Sequence, residues 1–218
     1  MTSGDGQEDG DGPERVITLT DGVVAIAMTL LALDLKPALP RDASTHQLVQ
    51  YFSDEKDAYT AFVIAFAIIA QYWVIHHRVM RRVVRHDEGL TWVNMLFLFG
   101  ITLMPLTTYL TGNFDSPLAT SVFAGTFVLL SVSIIWMSEL IERRGLAATV
   151  RSPDQQLRVR WRGVMSVVIP VAVGALTWVM PHASYLFFLF FVADLPGTIA
   201  MRRRRVTGGP GGASADRA

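Results

Sequence analysis

Apolar residues in this chain gather into long runs instead of alternating with polar ones. An α-helix needs about 20 apolar residues to cross the hydrocarbon core of a bilayer. Six segments approach that length: 16–35, 58–78, 89–110, 117–138, 163–181 and 183–201. Residues 89–114 and 116–138 hold no charged side chain, so the third and fourth segments carry the strongest signal. The first is charge-free only over 22–33, between Asp21 and Asp34, and the sixth is interrupted by Asp194. Carboxylates inside spans must reach an interface or be satisfied within protein, because charge in the bilayer core is expensive. Pro105, Pro170 and Pro196 fall within spans and are expected to kink them, with neighbouring helices compensating. The pattern predicts an all-α integral membrane protein: six transmembrane helices forming one domain, 14–201.

The flanks read differently. Residues 1–13 are Gly-rich and acidic, with no hydrophobic period, and are expected to form a disordered tail. That acidic start also lacks the basic region of a signal peptide. Residues 202–218 open on four consecutive arginines, a stop-transfer cluster, and continue as a flexible tail. Between the spans, Lys and Arg are distributed unevenly, with 16 on one set of alternate sides and 3 on the other. Positive loops stay inside, so both termini are predicted to be cytoplasmic, with the chain multi-pass in an inner membrane. Seventeen of the 19 basic residues are Arg, a bias that points to a GC-rich bacterial genome.

Composition narrows the chemistry. Hydrophobic residues make up 51% and charged ones 17%, with mean hydropathy +0.36. Lys+Arg and Asp+Glu are 19 each, so nothing in the charge favours nucleic acid. Cysteine is absent, which removes disulfides, thiolate metal sites and thiol nucleophiles. No phosphate loop, H-E-x-x-H, G-x-S-x-G or EF-hand motif occurs. His76 and His77 are adjacent, so their rings point about 100° apart on a helix and make a poor metal pair. Glu139 and Glu142 lie beside Arg143 and Arg144 and are expected to form interfacial ion pairs. No cofactor is expected, and an enzyme is disfavoured.

Intramembrane ionisable residues point to function, here Asp21, Asp34, His76, His77 and Asp194. The first span carries a second pattern. At about 100° per residue, Ile26, Leu30 and Leu33 fall on one narrow stripe, with Leu19 and Arg15 on nearly the same meridian and Asp21 about 140° away. Gly22, Ala25, Ala27 and Ala32 would permit close helix approach. Such a stripe is common in packing or lipid-facing helices and does not by itself identify a pore.

The segment from Arg15 through Leu19-Thr20-Asp21 to Leu33-Asp34-Leu35 resembles the first helix of the transmembrane-protein-175 family of potassium channels. Tyr72-Trp73-Val-Ile-His76-His77-Arg78 resembles the family's W-x-x-H stretch in helix two. Asp87, Trp92, Asn94 and Met104-Pro105 resemble helix three. The likeness covers roughly 14–110 and is closest to the bacterial single-repeat type. Leu19-Thr20-Asp21 stands where the family has Phe-Ser-Asp, keeping the hydroxyl and carboxylate but losing the aromatic ring. The resemblance implies a homotetramer in the lipid bilayer, helix one of each copy lining a central pore for potassium ions. It places the filter at Ile26, Leu30 and Leu33, and a structural polar network at Arg15, Thr20, Asp21, Trp73, His76, His77 and Asn94. An aliphatic constriction strips water from an ion without replacing it, which penalises sodium more than potassium; no T-V-G-Y-G carbonyl cage is present. The competing reading is a proton-coupled secondary transporter that titrates Asp21 or Asp194.

Overall fold

The computed structural model describes residues 13–33, 35–36, 39–85, 87–149, 151–180 and 186. These form six helices: α1 (Pro13–Leu33), α2 (Thr45–Asp54), α3 (Lys56–Met80), α4 (Glu88–Asn113), α5 (Pro117–Arg143) and α6 (Pro153–Leu176). All but α2 are long and apolar enough to cross a membrane, which makes this a multi-pass membrane protein. Among the described residues the sole strand-like feature is an isolated bridge between Val83 and Ala147.

The first four expected spans correspond to α1, α3, α4 and α5. The fifth begins at Pro153, ten residues before the apolar run at 163. A capping box formed by Ser152 and Gln155, with Pro153 in the first helical position, starts the helix inside the arginine-rich segment. Pro105 and Pro170 lie inside α4 and α6, and both helices continue through them. Apart from Leu186, the expected sixth span 183–201 with Asp194 and Pro196 lies outside the described residues, as do Asp34, residues 1–12 of the expected tail 1–13 and the arginines at 202–205; Pro13 opens α1. The sixth described helix is instead α2, within the stretch 36–57 that the apolar runs leave as a loop. Its ten residues are too short and too polar to register as a span, although Ser44 and Gln47 form a complete capping box at its start.

Helix α4 packs against α1, α3 and α5, and α5 packs in turn against α6. Phe97, Ile101 and Met104 of α4 are fully buried among Ile68 and Ile69 of α3 and Phe127, Leu130 and Met137 of α5. Helices in lipid gain little from the hydrophobic effect and associate through close packing. Gly112 shows how close: a Cβ there would fall 2.9 Å from Ala58 Cα, so α3 and α4 meet backbone to backbone at this end.

The opposite end carries the arginines. Helix α5 stops at Gly145, whose φ of 61° favours glycine. Leu146 then donates to Ile141 O and Gly145 to Glu142 O, the two bonds of a Schellman turn. This turn aims the next loop at the α3–α4 connection, where Val84 N donates to Leu146 O (2.9 Å) and Ala148 N to Arg82 O (3.1 Å). Arg82 bonds Glu142 at 2.7 Å, and Arg151 approaches the same carboxylate at 3.5 Å. Arg144 grips both oxygens of Asp87, which also caps α4 through Leu90 N. The Arg144 hydrogen bond holds the Asp87 carboxyl below the usual carboxylate range. Both glutamates therefore form the expected ion pairs, with different kinds of partner. Glu139 does pair with Arg143 at 2.7 Å, but Glu142 and Arg144 are drawn away to partners across the fold.

Candidate functional site

Helix α1 divides into two faces. Val16, Thr20, Val24, Ala27 and Leu31, spaced four, four, three and four apart, are buried against the bundle. Small Ala27 and Thr20 let the helix lie close to its neighbours α3 and α4. On the other side Ile26 is 60% exposed, Leu30 42% and Leu33 51%, with Leu19 exposed beside them. Large aliphatic side chains thus stand uncovered on α1 from Leu19 to Leu33.

The buried face carries the polar chemistry. Thr20, Asn94 and His76 are completely buried, one each from α1, α4 and α3. His76 Nε2 lies 2.7 Å from Asn94 Oδ1, an acceptor, so Nε2 is the donating nitrogen. Asn94 Nδ2 donates to Thr20 Oγ1 at 3.1 Å, and Thr20 Oγ1 donates to Val16 O at 2.8 Å. The relay uses each donor once and ends on the backbone of α1. The His76 ring stacks on Phe97, centroids 4.9 Å apart and planes within 13°. That packing sets the ring plane, and the relay links α3 and α4 to the backbone of α1.

A second cluster sits one step toward the surface. Trp73 Nε1 donates to Asp21 Oδ1 at 2.7 Å, and His77 Nδ1 lies 3.9 Å from the same oxygen. Adjacent His76 and His77 therefore serve different clusters, as their 100° separation on a helix requires. Of the seven residues expected in the polar network, three meet in the buried relay and three around Asp21. Arg15 is exposed, on the meridian of Ile26. A third connection went unread in the sequence: Tyr72 Oη and Ser131 Oγ are 2.6 Å apart, and Ser131 Oγ donates to Ser166 O at 2.8 Å. It ties α3, α5 and α6 together. Serines within the charge-free fourth span were the available signal. Among the described residues no group of three or more His, Asp or Glu side chains could hold a metal ion.

The sequence model of the family described as endosomal/lysosomal potassium channel TMEM175 matches residues 15–105. That stretch contains both faces of α1 and every member of the two polar clusters. A crystal structure of a TMEM175 homologue from Chamaesiphon minutus, described as a lysosomal potassium-selective channel homologue, superimposes with TM-score 0.65 at 26% identity. The superposition covers 84% of this chain and 97% of that one. Over residues 15–105 the chain is similar to the TMEM175 family. Among curated proteins, a potassium channel of Chamaesiphon minutus is 34% identical over 122 residues, 54% of this chain and 60% of that protein. A potassium channel of Streptomyces collinus is 33% identical over 124 residues, 55% of this chain and 59% of that one. The matches thus span less than two thirds of these relatives' length. The TMEM175 sequence model ends inside α4, so α5 and α6 rest on the backbone superposition.

Proposed function

We propose that this chain is a channel of the TMEM175 family, moderately selective and potassium-permeable, in a bacterial inner membrane. Four copies place α1 around a central pore, with the arginine-rich helix ends facing the cytoplasm. Ile26, Leu30 and Leu33 form successive aliphatic rings. The observation that carries this reading is the uncovered stripe on a helix whose opposite face is locked by a buried hydrogen-bond relay. A single copy offers one stripe, and a ring needs several, which closed cyclic symmetry supplies. The two bacterial relatives named above are both described as potassium channels, which supports the activity.

At such a ring an ion meets no oxygen ligand and must shed water uncompensated. Potassium holds its hydration shell less tightly than sodium, so its barrier is lower, and a dry constriction also closes by dewetting. Thr20, Asn94 and His76, with Asp21, Trp73 and His77 beside them, hold the rotation that keeps Ile26 facing the axis. Arg15 stands on the same meridian near the cytoplasmic end of the pathway. None of the buried groups needs to touch the ion.

The test is a reversal potential for purified protein in liposomes under opposed potassium and sodium gradients. The expected value lies toward the potassium equilibrium potential, in a protein of four-copy mass in native nanodiscs. A conducting monomer would defeat the shared pore, and flux strictly coupled to protons would replace the channel with a carrier.

A further inference from the structure

Helix α2 buries none of its ten residues in the protomer. It is nevertheless a defined helix, started by the Ser44/Gln47 capping box and joined to α3 through Glu55 alone. At about 100° per residue, Tyr51, Leu48, Phe52 and Val49 occupy one arc, with Thr45 between the last two, and His46, Gln47, Gln50, Ser53 and Asp54 the other. Leu48, Phe52 and Val49 are exposed, Val49 at 64%.

We propose that α2 is an interfacial anchor, lying along the bilayer surface with Leu48, Val49 and Phe52 in the boundary between headgroups and acyl chains. Three observations favour lipid as the occupant. First, α2 is bracketed by two membrane-crossing helices, α1 and α3, and so is tethered at the level where their apolar stretches end. Secondly, the same end of the bundle carries exposed Tyr109, Phe114 and Trp178 from α4, the turn after it and the residues after α6. Phe52 packs on Tyr59 at a centroid distance of 5.3 Å, which holds α2 against the start of α3 at this end. Thirdly, three apolar side chains on a helix about 15 Å long fall well short of the roughly 800 Å² per partner of a standard protein interface. In the interface each side chain partitions independently. The polar arc has no Lys or Arg, so apolar area drives the seating, and the anchor is insensitive to anionic lipid.

This inference needs only that α1 and α3 cross the membrane, and it stands or falls separately from ion conduction. The cysteine-free chain allows a direct test. Val49→Cys, Phe52→Cys and Gln50→Cys proteins, each carrying an environment-sensitive fluorophore, are reconstituted in vesicles with and without anionic lipid. Nitroxide on a shallow acyl carbon should quench the probes at 49 and 52 at least about twofold more than the probe at 50, in both lipid mixtures. Aqueous iodide should show the reverse order. All three positions are exposed in the protomer, so labelling them leaves the bundle intact. Equal iodide quenching at 49, 50 and 52 would overturn the anchor. Probes at 49 and 52 shielded from both quenchers would overturn it too, and would assign the face to a second copy of the chain.

Discussion

On one side of α1, Val16, Thr20, Val24, Ala27 and Leu31 are buried, and Thr20 is tied to Asn94. On the other, Leu19, Ile26, Leu30 and Leu33 stand exposed. A water-soluble helix has the opposite arrangement, with polar groups outward and aliphatics in the core. Here the hydroxyl is buried because lipid offers it no partner, and the aliphatics face outward because lipid or a dry pore tolerates them. The buried face sets how α1 sits, and the exposed face is where an ion or a lipid would meet it. Substitutions on the two faces should therefore fail in different ways.

The largest effect is expected from Asn94→Leu, which breaks the buried face. Volume is nearly preserved, but Thr20 and His76 lose their partner in a dry interior. Thr20 keeps its bond to Val16 O, so the main cost is the orphaned His76 N–H, about 1–3 kcal/mol. Melting of the detergent-purified protein should drop sharply, and a melting curve like wild type would mean that the relay does not hold α1.

Next comes the pair Ile26→Asn and Val24→Asn. The same amide enters an exposed position in one case and a 3% exposed one in the other. Ile26→Asn should assemble and conduct with reduced potassium preference, because the amide gives sodium substitute ligands. A tenfold fall would correspond to about 1.4 kcal/mol of barrier difference. Val24→Asn should lose assembly without any selective loss of discrimination. Unchanged selectivity in a well-assembled Ile26→Asn channel would take the constriction away from this position.

Asp21→Asn should be milder. The amide oxygen can still accept from Trp73, while the charge beside His77 is lost. Assembly or open probability should weaken with selectivity preserved. Channels that lose cation preference yet gate normally would place Asp21 in the ion path.

The smallest effect belongs to the arginine-rich end. Asp87 is held below its ordinary pKa by Arg144, so its contribution is present above the unfolded carboxyl pKa. It is lost as pH falls through the lower folded value. Asp87→Asn should flatten that acid limb of a stability–pH profile, and high salt should mimic it. The change should stay within about 1 kcal/mol, as for partly exposed pairs. A steep acid limb surviving in Asp87→Asn would assign it to another carboxylate.

These outcomes also separate what could be read along the chain from what could not. Span positions follow from local runs of apolar residues, and the Ile26/Leu30/Leu33 stripe follows from helix geometry. Both were legible before any packing was known. The polar residues of α1, α3 and α4 could be named through family likeness. Their partners could not: His76 goes to Asn94 and His77 to Asp21 because of how α3 is rotated against its neighbours. The partner of Glu142 was hidden for the same reason. Its local arginines were in view, while Arg82, 60 positions away, arrives only through the Gly145 turn.

Local sequence thus determined that the chain crosses membranes, where α1, α3, α4 and α5 run and which side chains share a face. Those properties depend on neighbours within a few residues and on the bilayer as solvent. Which face of α1 turns inward was decided only in the tertiary structure. So were the joining of a threonine, an asparagine and a histidine from three helices into one relay, and the exposure of α2. Such pairings depend on interhelical rotation and register, which arise from packing spread over the whole bundle and leave no local periodic trace.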